Sequence, residues 1–441
     1  MRPRCLLALA LAVPLALALP RAGHAEDLLQ AWQQARSADP VLAAALATRG
    51  AVREGVAQLR APLLPQASAS VSFDQNHVAG RDDNRARGAG VAVSQVLVDV
   101  AQRKRLQAAL QGAGAQDAVY SAAEQALLVR VAQAYFEVLT ATDLLAAVAA
   151  NEDAFAQQVE QADQRYRNGL AAMVDVEQAR AFRASARANT LTAQKALADT
   201  REALAEITGS APGALARLRE ELPMDPPAPA DPQEWVTTAL AQNPLLRAQR
   251  SLLGAAEENI AAARAGHLPT LSAALNIGRN NAWPRGGSNN GSNDGSNDGR
   301  HTTTVGLLLS VPLFSGGGTS ATQRQAVYQR DGAREALEQR RRRVMREVQE
   351  QYRAVVAGIG QTEATREAVQ AAQRALASTR VGQGLGTQSM NDLLQAIQTL
   401  GATQAAYSRA RHQFVVSRLL LQQAAGAVGE AELTTINSLL Q

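Results

Sequence analysis

An internal repeat restricts this chain to folds built from one unit used twice. The sequence RAPLLP at 60–65 returns as RAGHLP at 264–269, which is 204 positions later. Further along the chain the offset is 217, as three matched pairs show: Gly169 with Gly386, Met173 with Met390, and Asp175 with Asp392. The 13 extra positions must therefore be inserted between Pro269 and the second long helix. Two equal halves predict a duplicated supersecondary unit.

Residues 1–25 have the features of a secretory signal peptide. Arg2 and Arg4 precede an apolar stretch at 6–19, and small residues follow at the expected cleavage positions. The single cysteine, Cys5, leaves with this segment, so the mature chain is expected to form no disulfide and no metal thiolate. No later segment approaches the roughly 20 apolar residues of a transmembrane helix.

Charge and motifs argue against several classes of function. The formal charge of +4 falls to +1 once the three arginines of the signal are removed, so nucleic-acid binding is not indicated. The histidines at 77, 267, 301 and 412 show no ligand spacing. No phosphate-binding glycine loop and no nucleophile motif occurs. The sequence therefore predicts no enzyme, no cofactor and no metal site.

Proline placement leaves room for two very long helices. No proline lies between Pro65 and Pro212 or after Pro312, and interior proline breaks a helix. Residues from about 99 to 167 carry an apolar stripe at three-four spacing, formed by Leu128, Val131, Tyr135, Val138, Ala141 and Leu145. The matching stripe of the second half weakens in its last two members, Gly358 and Thr362. At about 1.5 Å per residue each helix spans roughly 100 Å, so the molecule must be elongated.

Glycine-rich breaks turn each long helix into a helical hairpin. Asn168-Gly169 and the segment 382–386 interrupt the periodicity, and a second helical run follows each of them. Ala181, Ala184 and Ala188 predict a face on which neighbouring helices approach closely. Six prolines at 212–232 mark residues 210–232 as a linker between a first repeat, 26–209, and a second repeat, 233–441.

A leading helix and a β-hairpin precede each long helix. Polar and apolar residues alternate at about 66–98 and again at about 270–313, which predicts four two-faced strands. One face could meet lipid and the other water, although a soluble, half-exposed sheet has the same pattern. Four strands cannot close a membrane barrel, so insertion into a membrane would require several chains.

The connectors within the two β-hairpins are polar. Residues 77–88 join the first pair, and 280–300 join the second through a Gly/Ser/Asn-rich run at 286–299. A flexible surface loop is the favoured interpretation of this run. A calcium site at Asp294 and Asp298 is the alternative, but the run lacks a repeating acidic register.

Together these motifs resemble the TolC family of outer-membrane ducts over residues 26–436. The resemblance rests on RAPLLP at 60–65, AYFEVL at 134–139, RYRNGL at 165–170, ITG at 207–209 and GHLPTL at 266–271. It implies a mainly α protein with membrane β-structure. Three chains would form a homotrimeric, 12-stranded outer-membrane β-barrel, with four strands from each chain, continued by a long periplasmic α-helical barrel.

The resemblance also implies partners and a location in the outer membrane of a Gram-negative bacterium. Such ducts contact outer-membrane lipid, a periplasmic adaptor and an inner-membrane ABC, RND or MFS transporter. They export drugs or, in type I secretion, proteins, and they bind no nucleic acid. The duct is passive, so the energy for export comes from the transporter.

Family positions carried over to this chain identify an entrance constriction and a gating network. Asp392 matches an acidic ring at the periplasmic entrance, and Gln395 stands where one member has a second aspartate. A solvated carboxylate at a helix N-terminus is the simpler alternative for Asp392. Asp175 matches a residue that holds the closed tip, but its tyrosine and arginine partners are replaced by Gln383 and Gln388.

The hairpin turns are the candidates for adaptor contact. The simpler alternative is that they only connect the helices and contact no partner. The candidate residues are Asn168, Gly169, Leu170, Gly384, Gly386 and Thr387. A periplasmic adaptor is the alternative function for the whole chain, since adaptors also combine a signal, helical hairpins and β segments. A surface adhesin is a further alternative. Neither of them explains the duplicated strand pair.

Overall fold

The two halves of the chain fold into the same order of elements. A computed structural model describes residues 25–77, 84–283 and 300–441. The first half contains α1 Leu28–Ala38, α2 Pro40–Arg60, β1 Gln66–Asn76, β2 Asn84–Val98, α3 Val100–Arg167 and α4 Met173–Thr208. The second half contains α5 Pro232–Gln242, α6 Pro244–Ala265, β3 Thr270–Trp283, β4 Arg300–Ser310, α7 Gly318–Gly384, α8 Met390–Ala425 and a final α9 Glu430–Asn437. The predicted signal, the run at 286–299 and residues 78–83 of the first connector lie outside the described residues.

The predicted single helix ahead of each β-hairpin is wrong, because two helices stand there. Asp39 ends α1 and caps α2, where its carboxylate accepts a hydrogen bond of 2.7 Å from the Leu42 amide. Asn243 likewise ends α5 and caps α6, where its side-chain oxygen accepts hydrogen bonds from the Leu245 and Leu246 amides. In both junctions proline follows the cap, at a position where its missing N–H costs nothing. The chain therefore bends at Asp-Pro and at Asn-Pro.

The predicted apolar stripe of the long helices forms the main hydrophobic core. Val131 and Tyr135 on α3 are fully buried, as is Val348 on α7. The second-half stripe continues further than the sequence indicates, since Thr362 is only 1% exposed and donates its hydroxyl hydrogen to the Gly358 carbonyl. The core also includes residues of α1, α5, α8 and α9, namely Leu28, Val236, Phe414, Leu419 and Leu433.

Contrary to the expectation from the sequence, one stretch of α3 is apolar enough, over 18 residues, to cross a membrane by composition alone. Close to half of that stretch is buried against other helices. The apolar residues 127–129, 131–132 and 134–136 of α3 are buried within the protein. We therefore assign the apolar stretch to core packing.

The linker forms a belt with both ends of the described chain. A parallel bridge joins Glu26 to Leu215, and an antiparallel bridge joins Leu218 to Leu440. The buried Tyr135 hydroxyl lies 2.9 Å from the carbonyl oxygens of Glu26 and Ala216. Its burial raises the pKa of Tyr135 well above the usual range. A side chain of the long helix thus holds the linker and the N-terminal segment together.

A buried polar cluster joins α3 to α8 near this belt. The His412 ring is 4% exposed, and its Nδ1 lies 2.8 Å from the Thr140 hydroxyl. The Asp143 carboxylate lies 4.0 Å from Nε2 and accepts a hydrogen bond from the Ser408 hydroxyl. Burial lowers the pKa of His412 to about 4, against the opposing effect of Asp143. The histidine is therefore neutral at pH 7.

The four strands form one antiparallel sheet in the order β1-β2-β3-β4. The register places the apolar residues of the alternating pattern on a single face, where Val93 pairs with Leu275 and Leu275 pairs with Val305. The opposite face carries mostly serine, threonine, asparagine, glycine and alanine. The predicted four two-faced strands are confirmed.

The apolar face of the sheet is covered by nothing in the described chain. Its exposed large residues are Val71, Phe73, Val91, Ile277, Val305, Leu307 and Leu309, with exposed fractions from 48% to 79%. Soluble monomers rarely expose an apolar patch that extends over four strands. The apolar face of the sheet therefore suits a nonaqueous environment, and the polar face suits water.

Candidate functional site

The tips of the two helical hairpins end in matching glycine turns. In the first hairpin α3 stops at Arg167, and Gly169 adopts a φ of +72°. The Leu170 amide then donates to the Arg165 carbonyl at 2.8 Å, which satisfies a helix-end oxygen. Residues 168–170 are exposed, and Leu170 is exposed by 69%.

The second hairpin ends in the same way. Gly386 adopts a φ of +78°, and the Thr387 amide donates to the Gly382 carbonyl at 2.9 Å. The turn exposes Leu385 by 76%, a residue that the sequence did not single out. Its position between two glycines in a predicted turn was the signal that could have identified it. The turn residues Gly384, Gly386 and Thr387 are exposed as well.

Asp392 lies at the exposed start of α8, where it completes a capping box with Ser389. Its Oδ2 accepts hydrogen bonds from the Ser389 hydroxyl at 2.7 Å and from the Ser389 amide at 3.0 Å. The bond to the hydroxyl is the main reason that the pKa of Asp392 lies below its usual value. The side chain is therefore an ordered, exposed anion at neutral pH. Gln395 lies one turn further along α8 and is also exposed.

Asp175 occupies the matching position of α4, in the first turn of that helix. Ala172 caps α4 without a side-chain hydrogen bond, so Asp175 lacks the capping partner that Asp392 has. Among the described residues of one chain, no hydrogen bond joins Asp175 to Gln383 or Gln388. The Gln388 side chain instead packs against Gly382 of its own hairpin. The gating network between Asp175 and the two glutamines therefore stays a prediction.

An apolar cluster below the tips brings the two hairpins together. Val176 of α4 and Leu393 and Leu394 of α8 are buried with Phe155 of α3. Because these residues directly follow the turns, the cluster holds the starts of α4 and α8 side by side. Asp175 and Asp392 thus lie at the same end of the helical region.

Ion pairs within and between α3 and α4 lie close to the tip of the first hairpin. Arg180 on α4 lies 2.7 Å from Glu177 and 3.9 Å from Asp163 on α3. Arg167 pairs with Asp163 at 2.6 Å. These exposed pairs stabilise weakly, by about 0 to 1 kcal/mol each. In the described ranges, histidine, cysteine and acidic residues form no cluster of three that could hold a metal ion.

The two-faced sheet and the helical hairpins of more than 100 residues each define an outer-membrane channel protein. The chain belongs to the outer membrane efflux protein family, whose model matches residues 31–210 and 235–427. It is therefore an outer-membrane protein of a Gram-negative bacterium. Membership of this family argues against the two alternative functions, a periplasmic adaptor and a surface adhesin.

Relatives and solved structures agree with the family membership. The chain is 34% identical to outer membrane protein TolC of Vibrio cholerae, over 95% of each chain. It is 32% identical to TolC of Escherichia coli, over 95% of this chain and 85% of the relative. The crystal structure of the outer membrane protein VceC from Vibrio cholerae superposes with a TM-score of 0.76 at 22% identity, over 90% of this chain and 96% of VceC. The resemblance stated from the sequence is confirmed.

Proposed function

We propose that three copies of this chain form the exit duct of an export system. The observation that carries the proposal is the open sheet. Among the described strands, β1 pairs with β2 alone and β4 pairs with β3 alone, so each end strand has an unpaired edge. Unpaired backbone groups in lipid cost several kcal/mol each. Pairing of β4 with β1 of the next copy removes every edge and closes a barrel of 12 strands.

The helical hairpins continue this barrel as a duct across the periplasm. The polar face of the sheet lines the water-filled side, and the apolar face meets outer-membrane lipid. We infer a passive, non-enzymatic homotrimer, without cofactor and without nucleic-acid partners. The domain division that goes with it is a signal peptide at 1–25, repeats at 26–209 and 233–441, and a linker at 210–232.

The duct works with partners that span the rest of the cell envelope. TolC-like channels act with a periplasmic adaptor and an inner-membrane transporter, and an ABC, RND or MFS transporter would supply the energy here. The cargo is a drug in an efflux pump or a protein in type I secretion. Nothing in the polar lining of the sheet selects between these two classes of cargo.

Asp392 is proposed to form the entrance constriction. Its carboxylate is exposed, ordered and anionic, and it lies at the end of the hairpins that is furthest along α7 from the sheet. Three copies around one axis would make a ring of three carboxylates. Rings of acidic side chains in pores attract and retain cations.

Neutralising Asp392 should therefore relieve block by multivalent cations. In planar bilayers we expect Asp392→Asn to raise the blocking concentration of a trivalent cation by about tenfold or more, which corresponds to 1.4 kcal/mol. Conductance should increase in the same variant. Asparagine keeps an acceptor for the Ser389 amide, so the cap of α8 is disturbed little. Asp199→Asn, which removes an exposed carboxylate paired with Lys195 from the C-terminal part of α4, far from the tips, serves as the control. Equal block in the two variants would contradict the assignment.

The two hairpin turns are proposed to contact the adaptor. Each presents an exposed leucine: Leu170 follows the exposed Asn168 and Gly169, and Leu385 lies between the exposed Gly384 and Gly386. Exposed apolar side chains at the ends of helices suit packing against the end of another helical hairpin.

Cysteine crosslinking can test the adaptor contact cleanly, because Cys5 is the only cysteine and lies in the predicted signal. We expect Leu170→Cys and Leu385→Cys to crosslink to the adaptor. Leu191→Cys, at an exposed leucine in the middle of α4, should not. Equal crosslinking of all three variants would show that the turns make no specific contact with the adaptor.

A further inference from the structure

The two halves of the chain differ in charge at the junction where the short helices meet the long ones. In the first half the junction contains one buried carboxylate and one guanidinium. The Asp39 side chain is 2% exposed, and its Oδ2 accepts a hydrogen bond of 2.8 Å from Arg130 of α3. The pair is neutral overall.

The second half has a different set of residues at the matching positions. Asn243 replaces Asp39, and Glu347 replaces Arg130. Arg340 and Arg343 stand where the first half has alanines. One carboxylate therefore faces two guanidinium groups, which leaves one positive charge without a matching anion.

These residues line a cavity of about 340 Å³ between α3, α6, α7 and α8. Its charged lining residues are Arg340, Arg343 and Glu347. Asn243, the cap of α6, lines it as well. Apolar groups, among them Leu245 and Leu420, form much of the remaining wall. The volume lies at the lower end of the range for small-molecule sites and exceeds that of a single water about tenfold.

The hydrogen bonds in the cavity leave the Nε of Arg340 without an acceptor in the described chain. Glu347 Oε1 accepts from Arg343 Nε at 2.8 Å. Its other oxygen lies 3.9 Å from the Arg340 guanidinium, which is too far for a hydrogen bond. The Nε of Arg340 is buried and has no acceptor among the described residues. A buried donor of this kind is rare in folded proteins and calls for an explanation.

Arg340 differs in this respect from the arginines next to it. Its side chain is only 18% exposed, whereas those of Arg341 and Arg342 are 55% and 77% exposed and both pair with Glu338. The neighbouring arginines thus form an ordinary solvated helix face. Burial, opposed by Glu347, also lowers the pKa of Arg340.

We propose that this cavity binds a small oxyanion, a carboxylate or a phosphate group, between the guanidinium groups of Arg340 and Arg343. The planar fork of a guanidinium matches both groups through paired N–H···O bonds. The bound anion supplies the negative charge that Asp39 supplies in the first half. The apolar wall accepts a short hydrocarbon body attached to the anionic group.

Titration calorimetry on the full-length, detergent-purified protein tests the proposal. Sodium phosphate, sodium acetate and sodium chloride are titrated separately at constant ionic strength. We expect phosphate, acetate or both to bind, and the binding oxyanion identifies the preferred class. Arg340→Gln should weaken that binding by about tenfold or more, as expected for the loss of a hydrogen bond to a charged group.

Two further variants separate the site from general charge effects. Arg341→Gln removes the same charge from the same helix and should leave binding unchanged. Asn243→Asp should abolish binding while the protein stays folded, because it places a carboxylate where Asp39 stands in the first half. Absence of oxyanion binding to the unmodified protein, equal binding of chloride, or equal weakening by Arg340→Gln and Arg341→Gln would each overturn the proposal.

Discussion

Replacing Gly426 with alanine is expected to destabilise the helical region by about 2 to 5 kcal/mol. Gly426 ends α8 at a φ of +78°, and the left-handed conformation costs an alanine about 1 to 2 kcal/mol. A Cβ atom there would lie 2.7 Å from Asn243 Cα and 2.8 Å from Asn243 N. Backbone atoms must move to make room, which adds about 1 to 3 kcal/mol. The junction between α5 and α6 would be displaced from the end of α8.

The measurement is the thermal loss of helical circular dichroism in detergent, compared with a glycine that has no such neighbours. Gly332 lies in the exposed interior of α7, and apart from its chain neighbours and the backbone of its own helix no atom lies within 4 Å of an added Cβ. Gly332→Ala should raise stability by about 0.5 to 1 kcal/mol because alanine is the better helix former. If the two alanine variants melted alike, the close approach of α8 to the α5–α6 junction would be wrong.

A lysine on the apolar face of the sheet is expected to block membrane assembly. Val305 is 79% exposed and pairs with Leu275 in the middle of the apolar face. Lysine near the midplane of a bilayer costs about 2 to 4 kcal/mol in a membrane barrel. Three copies would carry this cost together, so Val305→Lys should sharply reduce recovery of the protein from outer membranes.

Thr304 provides the matched control one residue away. Its side chain points to the opposite, polar face of the same strand, since successive side chains alternate across a sheet. Thr304→Lys should therefore assemble normally and alter only ion selectivity. Equal loss of both variants from outer membranes would show that the apolar face does not meet lipid.

Local patterns predicted most of the fold from the sequence. Alternation over ten residues identifies a strand, and three-four spacing identifies a helix, because both depend on neighbours along the chain. Gly169 and Gly386 mark the hairpin turns because a left-handed residue is needed there. The break at Asp39 and its counterpart at Asn243 have a local signal as well, a capping residue followed by proline.

Features that depend on packing could not be predicted from the sequence. Ala181, Ala184 and Ala188 were expected to pack closely, yet they are exposed in the single chain. The buried face of α4 uses Ala179, Ala186, Thr190 and Ala193 instead. An alanine-rich helix offers several equivalent stripes, and only its neighbours select one of them. The same reason applies to the pairing of His412 with Thr140 across 272 positions.

The candidate site likewise combines features that local sequence predicts with features that depend on packing. The exposed turns and the capping box of Asp392 follow from local sequence, because a serine three residues before an acidic residue is a helix-start signal. Contacts of Asp175 with Gln383 and Gln388 are absent from the described part of the single chain, so they stay a prediction. The charge difference between Asp39 and Asn243 is visible in the sequence, whereas the cavity beside Arg340 arises from the packing of helices distant in the chain.

In the proposed assembly one chain supplies a third of a closed barrel. The direct test is native mass spectrometry of the protein in mild detergent, with circular dichroism recorded on the same sample. We predict particles of three chains that retain full β-sheet signal. Single chains that keep the same β-sheet signal in that detergent would contradict the claim.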